Sequence, residues 1–178
     1  MAKISYDEVH ELFNYDPETG IFINKINRRI AKKGEVAGCL NGDGYWQVCV
    51  KGKQYKAHRL AWLYVHGYFP ENQIDHINRN PGDNRIVNLR EASRSCNLKN
   101  CKLHSDNTSG IAGVYWYKRA KKWQGSIQDK NHKRVHIGMF TSKLEAAKAR
   151  YAAEIKYEYP NCNTQSSALE YIKSYERR

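Results

Sequence analysis

Asp75 and His76 stand side by side in the stretch Gln73-Ile74-Asp75-His76-Ile77-Asn78, at the end of a short apolar run. Asn88 follows twelve residues after His76, inside Asn88-Leu89-Arg90, and Asn97 comes nine residues later. A carboxylate, an imidazole and a carboxamide can together hold one hard divalent cation and activate a water. Asp75 offers charged oxygen and Asn97 neutral oxygen, a pairing suited to Mg²⁺ (or Mn²⁺) that keeps most of its waters. An imidazole that is neutral near pH 7 can take the proton of the attacking water, and that role is open to His76. An Asp-His pair also occurs as ordinary packing; the spacing to Asn88 and Asn97 gives this one its chemical weight.

The elements that must position these residues can be read from pattern. Ser5 followed by Glu8 is a capping box and opens a short first helix, with Ile4, Val9, Leu12 and Phe13 as its apolar side chains. Tyr15-Asp16-Pro17-Glu18-Thr19-Gly20 is turn chemistry, and Ile21-Phe22-Ile23 reads as a strand. Tyr45 to Val50 alternates like a strand, Lys51-Gly52-Lys53 turns it, and Gln54 to Ala57 returns. From His58 to Tyr68 bulky apolar residues recur at spacings of three and four, which predicts a buried helix ended by Gly67 and Pro70. His58 opens that helix, either as a packed, hydrogen-bonded histidine or facing a substrate phosphate. Pro81-Gly82-Asp83-Asn84 is a loop, and Ser93 is placed to cap a helix over Arg94 to Lys102 that carries Asn97.

Beyond His104 the pattern changes. Three alternating runs joined by short turns, Gly113 to Tyr117, Trp123 to Gln128 and Lys133 to Phe140, predict an antiparallel meander. Ser142 with Glu145 opens a further helix to about Tyr157, with Leu144, Ala147, Tyr151 and Ile155 as its apolar stripe. That helix covers the face bearing Val114, Trp116, Trp123, Ile127, Val135 and Ile137. Tyr115, Tyr117, Gln124, Ser126, Gln128, Arg134 and His136 point the other way.

Composition narrows the partner. The chain has 178 residues and a net charge of +12. Lys and Arg in such excess favour a polyanion, since they neutralise phosphates and release counterions. The chain has no apolar run long enough to span a bilayer, and its N-terminus turns acidic at once, unlike a signal peptide. The 5 cysteines are odd in number and form no C-x-x-C, which fits free thiols in a reducing cytoplasm. Cys96, Cys101 and His104 match no zinc spacing, so structural zinc is not expected.

Two resemblances add to this reading. His58-Arg59-Leu60-Ala61-Trp62, Ile74-Asp75-His76-Ile77-Asn78, Asp83-Asn84-Arg85-Ile86-Val87-Asn88-Leu89-Arg90 and Asn97 together resemble the HNH endonucleases of the phage and intron homing type. The resemblance implies an antiparallel ribbon and a following helix around a metal. It implies Asp75 and Asn97 as metal ligands, His76 as general base, and Asn88 steadying the histidine loop. Gly113-Val114, Trp123, Ile137-Gly138-Met139-Phe140 and the Ala-rich helix after Glu145 resemble the Apetala-two DNA-binding domain of ethylene-response factors. By position, that family's DNA readers fall on Tyr115, Tyr117, Arg119, Ser126, Gln128, Arg134 and His136. Several plant arginines and a tryptophan are absent there, so the plant target sequence does not transfer.

The expectation is an α+β chain: a ββα-metal nuclease domain followed by a three-stranded antiparallel sheet packed on one helix. Residues 1–104 hold the N-terminal hairpin region and nuclease (core 58–104), 105–110 a linker, 111–160 the Apetala-two-type domain and 161–178 a basic tail. The expected activity is metal-dependent hydrolysis of double-stranded DNA by a cytoplasmic monomer or weak dimer. One metal set implies that one subunit cuts one strand. A catalytically silent DNA-binding regulator on the same fold is the alternative.

Overall fold

In the computed structural model, residues 4–29, 31–100, 102–162 and 165–177 are described. The chain forms two compact units, Met1–Ser93 and Arg94–Arg178.

In the first unit α1 (Tyr6–Leu12) starts at the Ser5–Glu8 capping box. Phe13, grouped with the helix by its apolar character, instead leaves it in an extended conformation and begins a hairpin. That hairpin pairs β1 (Phe13–Asp16) with β2 (Ile21–Asn24). β3 (Cys39–Leu40), β4 (Trp46–Val50) and β5 (Lys53–Lys56) form an antiparallel sheet with β4 central. α2 (Ala57–His66) follows at once and ends at Gly67, whose φ of 81° is the left-handed conformation that favours glycine. β6 (Gln73–His76) and β7 (Leu89–Ala92) make a two-stranded ribbon, and a 3-10 turn, Ile86–Asn88, leads into β7. Val9, Phe13, Phe22, Val48, Leu60 and Ala61 form the core, which Ile74 and Leu89 of the ribbon join. The ribbon is thereby anchored on its apolar side chains.

The second unit begins with α3 (Arg94–Lys99). β8 (Val114–Tyr117), β9 (Lys122–Gln128) and β10 (Arg134–Phe140) form the expected meander with β9 central. α4 (Lys143–Lys156) starts at the Ser142–Glu145 capping box, and α5 (Ser167–Glu176) packs with it. The core of this unit is Ile111, Val114, Ala146, Ala147, Ala168 and Ile172.

Four expectations change here. The division between units falls at Ser93/Arg94, because α3 is held within the second unit: Cys96 is disulfide-bonded to Cys162, and Lys99 donates to the Tyr157 carbonyl. The 105–110 stretch is an ordered loop of that unit, with Ser109 buried and its hydroxyl bonded to the Ile111 carbonyl. The disulfide also replaces the expected free thiols at Cys96 and Cys162, whereas Cys39 and Cys49 are free and exposed. Within the 161–178 stretch, α5 is tied to this unit through Ala168 and Ile172, which are core residues. Finally, α4 buries Ala146, Ala147, Arg150 and Glu154, while Ile155 of the expected stripe is exposed. The reason is a buried ion pair: Arg150 donates through Nε to Glu154 at 2.9 Å and through Nη1 to the Ser126 carbonyl, and Ser166 donates its hydroxyl to Glu154.

Candidate active site

The ribbon sets the positions of the chemical groups. Register pairs Asp75 with Arg90 and His76 with Leu89 across β6 and β7. Side chains alternate along a strand, so Asp75 shares a face with Arg90, and His76 shares the other with Leu89. Both neighbours are buried, Asp75 at 5% and His76 at 6% exposure. A buried carboxylate needs a partner. Asp75 has one in Arg90, which donates from Nε and Nη2 to Oδ2 at 2.9 and 2.7 Å.

His76 lies edge-on to His58, with ring centroids 5.0 Å apart at 88°, and Tyr45 packs against both. Its Nε2 is 3.4 Å from Oδ1 of Asn84. Burial pushes the His76 imidazole below its ordinary range, and the bond to Asn84 and the charges of Asp75 and Asp83 partly oppose this. The ring is therefore neutral at pH 7, as a base must be. His58 is pushed down to about 3, first by burial and then by His76, Lys56 and Arg59. Its buried Nδ1 has no hydrogen-bond partner among the described residues.

Asn88 acts through the loop and not on the imidazole. Its Oδ1 accepts from the Asn78 amide at 2.9 Å, its Nδ2 donates to the Asp83 carbonyl at 2.8 Å, and its carbonyl accepts from the Ile77 amide at 2.9 Å. The loop is further laced by its own short polar side chains, the turn chemistry that Asn and Asp favour. Asn78 Oδ1 accepts from the Asn80 amide and Asn80 Oδ1 from the Gly82 amide. Asp83 receives Nδ2 of Asn78 and two guanidinium nitrogens of Arg85, which holds its carboxyl down to about 2.

The first unit thus brings Asp75, His76 and Asn88 together on one ribbon and its loop. Asn97 lies half-buried on α3, in the second unit, and its assignment as a ligand stands on the sequence resemblance. Among the described residues no three His, Cys, Asp or Glu side chains cluster as a metal cage. A buried carboxylate, paired with Arg90 and flanked by the neutral His76 ring and amide side chains, fits a hard cation that retains most of its waters. Arg90, Asn84, His58 and Tyr45 complete the surroundings. Of these, Arg90 was legible in principle: pairing 73–76 with 89–92 sets it opposite Asp75.

In the second unit the register puts Tyr115 with Gln124, His136 with Ser126 and Arg134 with Gln128, as the expected polar face requires. Arg119, Gln128, Arg134 and His136 are exposed, and Tyr115 and Tyr117 half-buried. The Arg134 guanidinium lies 5.5 Å from the Tyr115 ring centroid, and Gln124 Nε2 is 3.1 Å from His136 Nδ1. Ser126 is a correction. It is buried at 5% exposure beneath Gly113, whose carbonyl its hydroxyl meets at 3.4 Å, so it is withdrawn from the face. A Cβ on Gly113 would lie 2.3 Å from the Ser126 carbonyl oxygen, and that close approach requires glycine.

Comparison with known proteins finds a family match over the ribbon. Residues 55–99, from the end of β5 through α2, the ribbon and α3, match the family model for HNH endonucleases. The stretch that resembles that family lies within an α+β fold. It is also similar to Protein 3.8 of Escherichia phage T7, 38% identical over 77 residues that cover 41% of this chain and 64% of that protein. The match thus spans less than two thirds of the phage protein. Among solved structures it is similar to one described as DNA binding and cleavage by the HNH homing endonuclease I-HmuI. The TM-score is 0.43 at 17% identity, covering 87% of this chain and 89% of that one.

Proposed function

We propose that this chain is a metal-dependent DNA endonuclease whose first unit carries the hydrolytic groups. The observation that carries the reading is the buried Asp75-His76 pair at the end of β6, beside a loop fastened by Asn88, inside the segment that matches the HNH family. Asp75 would hold a hard divalent cation, with Asn97 as second ligand on the strength of the sequence resemblance. Such a cation, Mg²⁺ or Mn²⁺, supplies charge stabilisation at the scissile phosphate and its leaving oxygen when bound. His76 takes the proton of the attacking water. Arg90 neutralises Asp75 in the absence of a cation.

The second unit supplies affinity and sequence preference in this reading. Its exposed face, Tyr115, Tyr117, Arg119, Gln128, Arg134 and His136, suits the major groove, where base edges are distinguishable. The Apetala-two and homing assignments rest on sequence resemblance. The Arg90 guanidinium on Asp75 also favours a second reading, a DNA-binding regulator whose nuclease segment is silent.

Supercoiled plasmid separates the two. With Mg²⁺ or Mn²⁺ the protein should convert plasmid to nicked circles, and chelation should stop it. Asp75→Ala should lower the rate on the order of 10³-fold, the worth of several kcal/mol of charge stabilisation. Plasmid that stays supercoiled at full protein occupancy and any divalent metal concentration would establish the silent regulator.

A further inference from the structure

The family match begins at residue 55, yet part of the support of the histidine loop comes from the first hairpin, more than thirty residues upstream. Tyr15, on β1, donates its hydroxyl to the Asn84 carbonyl at 2.7 Å, in a buried bond between residues 69 apart in sequence. The Ile86 amide donates to the Pro17 carbonyl at 3.2 Å. Gly20, at the end of the hairpin turn, has φ of 75° and sits so close that a Cβ there would lie 2.5 Å from the Arg85 nitrogen and the Asn84 carbonyl carbon. Three independent contacts thus clamp the backbone of residues 84–86 against the hairpin turn.

Asn84 is the residue so held, and its side chain faces His76. Its Nδ2 donates to the Gly82 carbonyl at 3.3 Å, which turns Oδ1 toward His76 Nε2. An amide oxygen can only accept, so Nε2 must carry the proton. The imidazole is then the Nε2–H tautomer, with its lone pair on Nδ1. The assignment comes from the hydrogen-bond network, the usual basis for a histidine tautomer.

We infer that Tyr15 and Asn84 are positioning residues for His76: the β1–β2 hairpin fixes Asn84, and Asn84 fixes the tautomer and orientation that place the base on Nδ1. The hairpin is therefore part of the catalytic apparatus and not a separate appendage. The inference rests on the reading of His76 as the general base.

The test uses the full chain labelled with ¹⁵N-histidine, with His76 assigned from the signals lost in His76→Gln. Long-range ¹H–¹⁵N spectra at neutral pH should show the Nε2–H tautomer at His76. Asn84→Leu should give a mixture of tautomers, while Asn84→Asp, which keeps an oxygen toward Nε2, should restore the parent pattern. Tyr15→Phe, which removes one hydroxyl, should shift the same signals partway. On cleavable duplex, Asn84→Leu should lower kcat about 10–100-fold and Tyr15→Phe about tenfold or less, with KM and DNA affinity unchanged, as for a misplaced catalytic group. A purely structural role would lower the melting temperature and leave both the tautomer and kcat per folded molecule as in the parent, which would overturn the inference. So would a parent His76 in the Nδ1–H form. If the parent cuts no DNA, the nuclease reading fails, whereas the spectra still decide whether Asn84 and Tyr15 set the imidazole.

Discussion

Asp75, His76 and Asn88 on the β6–β7 ribbon are nearly withdrawn from solvent, and each is held by a named partner: Arg90, Asn84 and the backbone of Asn78 and Asp83. On the β8–β9–β10 meander the corresponding polar groups, Gln128, Arg134 and His136, stand open on one face. Both sheets are short, antiparallel and rich in polar side chains, so strand propensity does not separate them. Burial does. A buried polar group costs free energy unless it is partnered, and partners fix its geometry. Fixed geometry suits bond breaking, where a misplacement of about an ångström can cost around 100-fold in rate. Open groups suit binding, where side chains must adapt to a partner and can be exchanged without unfolding the sheet.

Acid stability is the largest effect that can break this contrast. His58, 5% exposed, is held neutral down to about pH 3, against 6.5 for an ordinary histidine. Below 6.5 the unfolded chain takes up a proton that the folded chain refuses. The stabilisation is therefore complete above that pH and is lost progressively toward pH 3, by up to about 1.4 kcal/mol per pH unit. Hydrogen exchange read on β6, β7 and α2 should show this decline, and His58→Phe should flatten it. An unchanged slope in that variant would mean that the ring is not held neutral by burial.

A smaller effect sharpens the other side. Arg134→Ala removes an exposed guanidinium, so unfolding should change by no more than about 0.5 kcal/mol. Binding should respond instead. If Arg134 meets a guanine edge, affinity should fall by about 1–3 kcal/mol at one position of the site. If it meets phosphate, affinity should fall for every sequence and the salt slope should shrink by about one. Titrations on matched and mismatched duplexes at several salt concentrations distinguish these, and unaltered binding in all of them would remove Arg134 from the face.

The same contrast explains what was legible in the sequence. The proposed reactive set was readable because residue type and spacing suggest it. Both capped helix starts, Ser5 with Glu8 and Ser142 with Glu145, were readable because a capping box is local. The supports were not. Asn84 is one of four asparagines between residues 78 and 88, and which of them meets His76 depends on how the loop closes. Tyr15 reads as turn chemistry until the hairpin is docked against residue 84. Arg150 and Glu154 look like an exposed i, i+4 pair, and their burial follows from the Ser126 carbonyl that Arg150 reaches. Ser126 itself alternates correctly with the polar face and is lost to it because the Gly113 loop crosses over it.

If the ribbon breaks bonds while affinity resides elsewhere, single-turnover cleavage of one duplex by the parent and His76→Ala, with binding measured on the same preparations, separates the two roles. His76→Ala should bind within about threefold of the parent and cut about 10²–10⁴-fold more slowly, the range for loss of a general base. A variant that cuts at the parent rate, or whose loss of cutting is matched by an equal loss of binding, would contradict that separation of roles.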